Sequence, residues 1–187
     1  DHWDIGQGAG FYINATQAPW AAHYQMETFV ADELYQLVLQ QFPIQAQQLG
    51  IMGHSMGGHG ALTLAFKYPE KFKSVSAFAP ICAPSQCPWG EKAFSNYLGT
   101  DQQVWLQHDA TALVQAKGAL FSEILIDQGA KDQFYSQLNP ALFQQACDTV
   151  GQKLSLREQA GYDHGYYFIQ SFIDQHLQFH VVQLQAD

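Results

Sequence analysis

The stretch Gly53-His54-Ser55-Met56-Gly57 has the form G-x-S-x-G, with Leu49-Gly50-Ile51-Met52 before it and Gly58 to Leu64 after it. An apolar run, a tight glycine-flanked serine and a second apolar run describe a strand that turns sharply into a helix. In that turn the serine takes a strained backbone conformation and its hydroxyl stands exposed. The N–H of the next residue then points to where an oxyanion would develop. Strand and helix crowd the flanking positions, which are expected to be small. The alternative, an ordinary glycine-rich turn at a strand end, would not require a helix-forming run directly after the serine.

Working outward, residues 24–42 place Met26, Phe29, Val30, Leu34, Leu37, Val38 and Phe42 on one helical face, with a stop before Pro43. Residues 48–52 read as a short buried strand and 61–68 as a helix. The pattern recurs with strands at 74–81, 123–127 and 153–158. Helices are predicted at 139–150, with Asn139 as cap and Pro140 in the first turn, and at 166–182. A weak further strand is expected near Phe11-Tyr12-Ile13. Alternating strands and helices predict an α/β protein with a mostly parallel sheet flanked by helices. With the serine turn, this is the α/β-hydrolase fold. The strands are too few for that fold, so its N-terminal strands are expected to be absent from this chain. The start, Asp1-His2-Trp3-Asp4, reads as the interior of a longer polypeptide. Residues 1–187 read as a single domain, with residues 82–122, rich in Pro, Trp and Gly, as a small cap-like insertion.

A serine hydroxyl becomes a useful nucleophile when an imidazole can take its proton. This fold supplies the partners in the chain order Ser, acid, His, on loops at the carboxyl ends of strands. Of eight histidines, His2 and His23 precede Ser55, and His54 and His59 lie too close to fold back onto it. His108 falls in the insertion. His176 and His180, spaced i, i+4 without a zinc-protease glutamate, read as surface residues rather than metal ligands. His164, in Gly161-Tyr162-Asp163-His164-Gly165 between the last strand and the last helix, is the base by elimination. For the acid, spacing favours Asp132, in the loop after Ile124-Leu125-Ile126, over Asp127 at the strand end, and leaves Asp127 open. Asp163 adjoins the histidine too closely.

A net charge of −9 repels nucleic acid and anionic membrane surfaces, so neither is expected as a partner. No apolar run is long enough to span a bilayer. Cys82, Cys87 and Cys147 form an odd set without zinc-ligand spacing, which fits free thiols in a reducing, cytoplasmic setting. Gly6-Gln7-Gly8-Ala9-Gly10 is mis-spaced for a dinucleotide loop and reads as a turn packed near the site. A general carboxylesterase fits the same motifs. A non-catalytic binding module of this fold would usually lack a member of the triad.

The runs WDIGQGAGFY (from Trp3), IMGHSMGGHGAL (from Ile51), SVSAFAPIC (from Ser74), CPWGEKAFSNYLGTD (from Cys87), ILIDQGAKDQF (from Ile124) and GYDHGYYFI (from Gly161) cover essentially the whole chain. Together they resemble the S-formylglutathione hydrolase (esterase D) family. The resemblance implies a cytoplasmic, homodimeric enzyme that hydrolyses the thioester S-formylglutathione to formate and glutathione in formaldehyde detoxification. Side activity on small esters is implied as well, with no metal or cofactor. It assigns Ser55 as nucleophile, Asp132 as acid and His164 as base, with Met56 N–H as an oxyanion donor and Trp89 as a wall of the substrate channel. It also implies that the second oxyanion donor belongs to the missing N-terminal region.

Overall fold

The structure, a computed structural model, describes residues 3–46 and 48–185. Asp1, His2, Gln47, Ala186 and Asp187, which the expected range 1–187 includes, lie outside the described residues.

Four strands, β1 (Gly50–His54), β2 (Ser74–Phe78), β3 (Ile124–Gly129) and β4 (Leu154–Gln159), form one parallel sheet in sequence order. The register aligns their carboxyl ends, His54 beside Phe78, Phe78 beside Asp127 and Asp127 beside Arg157. Parallel neighbours require helical crossovers. These are α3 (Met56–Lys67) between β1 and β2, and α8 (Pro140–Val150), preceded by the short α7 (Tyr135–Leu138), between β3 and β4. Between β2 and β3 run α4 (Pro88–Tyr97), α5 (Gln102–Trp105) and α6 (Ala110–Lys117). The C-terminal helix is α9 (Tyr166–Gln185), and the N-terminal part carries α1 (Met26–Thr28) and α2 (Tyr35–Gln41).

Strand alternation divides the core into two layers. Val75, Ala77, Ile124 and Ile126 pack with Leu62, Leu64 and Phe66 of α3, Val114 of α6 and Phe143 of α8. The intervening residues Ser74, Ser76, Phe78 and Asp127 meet α9 instead, which lays His176 and His180 against them. The central strands β2 and β3 are therefore buried throughout.

Several expectations need correction. Phe11-Tyr12-Ile13 is not a strand: Phe11 and Tyr12 have φ of 52° and 53°, and only the bridge Asn14–Gln25 lies nearby. That turn buries Phe11 and directs its carbonyl to His59 Nε2 at 3.0 Å. The helix over residues 24–42 begins at Met26 and is interrupted by a π-helical segment, Phe29–Leu34. Asn139 makes no side-chain cap; it adopts the left-handed conformation, φ 50°, and joins α7 to α8 through its backbone. His176 and His180 are buried rather than on the surface. His176 has an acceptor in Asp127, and both rings are flanked by serine hydroxyls. No helix among the described residues is long and apolar enough to cross a membrane.

Candidate active site

Three strand ends converge. Ser55 follows β1, Asp132 follows β3 and His164 follows β4, so one edge of the sheet carries all three. Ser55 has φ 57° and ψ −119°, a conformation that L side chains rarely adopt and that only an over-determined turn can hold. Its N–H donates to the Phe78 carbonyl at 2.8 Å, and its carbonyl accepts from His59 N at 2.9 Å and Ile81 N at 3.3 Å. The turn is thereby pinned to β2 and α3.

The flanking glycines are not equivalent. A Cβ on Gly53 would stand 2.1 Å from the Gly57 carbonyl oxygen, so the first must be glycine. A Cβ on Gly57 would meet nothing closer than Tyr12 Oη at 3.5 Å. The crowding instead falls one residue later, where a Cβ on Gly58 would lie 2.9 Å from Pro80 Cβ.

His164 Nδ1 lies 2.6 Å from Asp132 Oδ2. The same carboxylate accepts the Phe134 N–H at 2.8 Å on Oδ1 and the Gln128 amide at 3.1 Å on Oδ2. Burial pushes the Asp132 carboxyl up, but the hydrogen bonds from His164, the Phe134 backbone and Gln128 outweigh it and hold the group below the usual carboxylate range. Asp127 is committed elsewhere. Arg157 Nε and Nη2 grip it at 2.7 and 2.5 Å, Gln159 at 3.0 Å and His176 at 3.1 Å. Burial is again overcome by these donors, and its carboxyl is held at about 2.

Ser55, Met56, His54, His164, Trp89 and Phe134 line one cavity of about 310 Å³. Ser55 and His164 share its wall without a direct hydrogen bond; such contacts commonly tighten only when substrate binds. Met56 is the first residue of α3, where backbone N–H groups have no intrahelical partner. An aromatic chain runs from Trp3 through Trp89 and Phe134 to His164, with ring centroids 5.4, 4.9 and 5.1 Å apart. Gly8 and Ala9 of the glycine-rich turn also line the cavity.

Two neighbours escaped the sequence reading. The His54 ring lies 4.4 Å from that of His164, and burial, with this neighbouring imidazole second, lowers the His54 pKa to about 4. Gln128 is fully buried beneath Asp132. The available signal for Gln128 was an amide in a β3 position that alternation assigns to the face of Ile124 and Ile126. Among the described residues no group of three or more His, Cys, Asp or Glu side chains could hold a metal ion. All three cysteines are free and buried.

The parallel sheet with its strained serine at a strand-to-helix turn defines a serine hydrolase of the α/β-hydrolase class. The family model described as "Putative esterase" matches residues 1–179, and the chain is 53% identical over 188 residues to S-formylglutathione hydrolase of Mus musculus, covering 100% of this chain and 67% of that protein. The chain belongs to the S-formylglutathione hydrolase family of esterases. The enzyme of that name from Paracoccus denitrificans is 50% identical over 97% of this chain and 65% of its own length. A solved S-formylglutathione hydrolase from Agrobacterium tumefaciens matches with a TM-score of 0.93 at 50% identity, over 97% of this chain and 66% of that one. A ferulic acid esterase at 18% identity, with a TM-score of 0.70 over 92% of this chain and 64% of its own, shares the fold. The chain thus spans about two thirds of the length of the relatives it matches.

Proposed function

We propose that this chain carries the acyl-transfer site of an enzyme that hydrolyses S-formylglutathione to formate and glutathione, with Ser55 as nucleophile, His164 as general base and Asp132 as its orienting acid. The observation that carries the reading is the 2.6 Å Asp132–His164 bond together with a serine held at φ 57° on the cavity wall that His164 shares.

In the first half-reaction His164 takes the Ser55 proton as the hydroxyl oxygen attacks the thioester carbonyl. The C–S bond then breaks, and the glutathione sulfur leaves with the proton that His164 returns. In the second, His164 deprotonates a water that attacks the formyl ester, releasing formate and restoring Ser55. Asp132 fixes the imidazole tautomer and stabilises the imidazolium. Met56 N–H is the oxyanion donor in this scheme, since the Ser55 N–H is already spent on Phe78. Trp89 and Phe134 bound the channel beside the reacting carbonyl. The chemistry calls for no metal or cofactor. Residues 82–122 act as a small cap on a single domain in this reading, α4 bringing Trp89 to the cavity. A cytoplasmic, homodimeric enzyme of formaldehyde detoxification is the corresponding setting, to which the three free thiols are suited.

The test compares S-formylglutathione with a small acetyl ester, using the whole protein and its Ser55→Ala variant. Rapid thioester hydrolysis that disappears in the variant supports the reading. Turnover of the acetyl ester alone, also lost in the variant, moves the protein to a general esterase. Turnover that survives the substitution overturns Ser55 as nucleophile.

A further inference from the structure

We infer that Gln128 is a positioning residue for this reaction, holding Asp132 in the orientation that His164 requires. The inference rests on the roles given to Asp132 and His164 above. Gln128 lies in β3 with no exposed surface. Its amide nitrogen donates to Asp132 Oδ2 at 3.1 Å, the oxygen that meets His164 Nδ1 at 2.6 Å, and also contacts the Gly129 carbonyl at 3.2 Å. A carboxylate can only accept, so a donor at this point must come from an amide, hydroxyl or cation.

Three donors fix the carboxylate. The Phe134 N–H holds Oδ1, while Gln128 and His164 share Oδ2. Without Gln128, rotation about the Asp132 side chain is restrained only by the Phe134 N–H and by the imidazole it is meant to orient. The backbone contact at Phe134 belongs to the loop itself, whereas Gln128 ties that loop to the rigid strand behind it.

The amide also carries a cost. Gln128 Oε1 is buried and accepts no hydrogen bond among the described residues. Alternation assigns this position to the face of the apolar Ile124 and Ile126, where methionine would fill the space without stranding an acceptor. A purely structural side chain gains nothing from that acceptor. The donor to Asp132 is what the amide supplies and methionine lacks.

The experiment is a double-mutant cycle in the whole protein, with Gln128→Met, Asp132→Ala and the pair, measuring kcat and KM for S-formylglutathione and the thermal transition of each. Gln128 acts one step away from the imidazole, so its loss is expected to lower kcat by up to about 10²-fold, less than the loss of Asp132 itself, with KM within about twofold. In the Asp132→Ala background the same substitution is expected to cost less than about twofold, because the residue it acts through is gone. Should Gln128→Met lose its thermal transition, Gln128→Glu, which matches the amide in shape but brings a second carboxylate to Asp132, takes its place in the cycle, and a kcat loss at least as large is expected. Unchanged kcat in a folded variant, or an equal loss in both backgrounds, overturns the inference. An Asp132→Ala enzyme of full activity would instead overturn the assignment of the acid on which it rests.

Discussion

His176 Nε2 lies 3.1 Å from Asp127 Oδ2, a buried imidazole–carboxylate pair that resembles, in its two partners, the Asp132–His164 pair whose histidine lines the cavity. One orientation of the protons satisfies the whole chain behind it. His176 donates to Asp127 and accepts from Ser76, while His180 donates to Ser76 and accepts from Ser74. This ladder fastens α9 to β2 and β3, and Asp127 is committed to it.

Substituting each aspartate should separate stability from activity. Asp127→Ala strands the Arg157 and His176 groups against a buried hole and is expected to cost about 3–5 kcal/mol in denaturant unfolding. Asp132→Ala leaves the Gln128 and Phe134 donors without their acceptor and should cost about 1–3 kcal/mol, less than Asp127→Ala, while reducing kcat by about 10³–10⁴. The reverse pattern would exchange the roles.

Ser55 stores strain that its own replacement releases. At φ 57°, Ser55→Gly should remove thioester hydrolysis and raise stability by about 0.5–1 kcal/mol, since glycine takes that conformation without penalty. An inactive variant that melts below the parent would mean that the strain is smaller than the backbone angles indicate.

The two glycines of the G-x-S-x-G turn should respond unequally. Gly53→Ala drives a methyl into the Gly57 backbone and is expected to prevent folding or abolish activity. Gly57→Ala meets only ordinary contact at 3.5 Å and sits in a helix, where alanine is favoured by up to about 1 kcal/mol. Its melting temperature is expected to equal or exceed that of the parent, and calorimetry decides the point.

Acid should destabilise the fold in a defined window. Burial lowers His54, His108 and His180 to about 4 and His59 to about 3, from 6.5 in the unfolded chain. As pH falls through 6.5 the unfolded chain binds protons that these folded side chains refuse, so stability present above that pH drains away down to pH 3–4. Asp127, held at about 2 by its donors, adds a further loss below its unfolded value of 3.8. Melting temperature is expected to fall steadily from pH 6.5 to pH 4; a level profile across that span would contradict the burial of these rings.

The cysteines should be inert. Burial pushes Cys82 well above the ordinary thiol value and Cys87 above it, and Cys147 up to about 12. Iodoacetamide applied to the native protein is expected to leave Cys82, Cys87 and Cys147 unlabelled by mass spectrometry, with labelling appearing only on unfolding.

Much of this was legible because it is local. The glycine-serine-glycine turn, the apolar runs of β2 and β3, and the helix cued by Pro140 each carry their signal within a few residues. What escaped depends on partners distant in the chain. Nothing around His176 and His180 discloses that Ser74, Ser76 and Asp127 await them, so their i, i+4 spacing read as surface. Phe11 and Tyr12 have strand-forming side chains, yet their carbonyl and ring positions are set by His59 and Gly60. Gln128 is visible only once Asp132 folds back over the strand that bears it.

The arrangement of the site along a parallel sheet has a consequence for how activity arises in time. Ser55, Asp132 and His164 follow β1, β3 and β4 in turn, and β4 reaches β1 only through β2 and β3. The unit β3–α7–α8–β4 can bring Asp132 and His164 together on its own, but Ser55 joins them only when β1 and β2 are in place, so the proposed triad is complete only with the whole sheet. Helical signal can recover early from the crossovers alone. Turnover of substrate, by contrast, reports the sheet complete from β1 to β4, and its lag behind that signal measures how slowly the four strands close into one sheet.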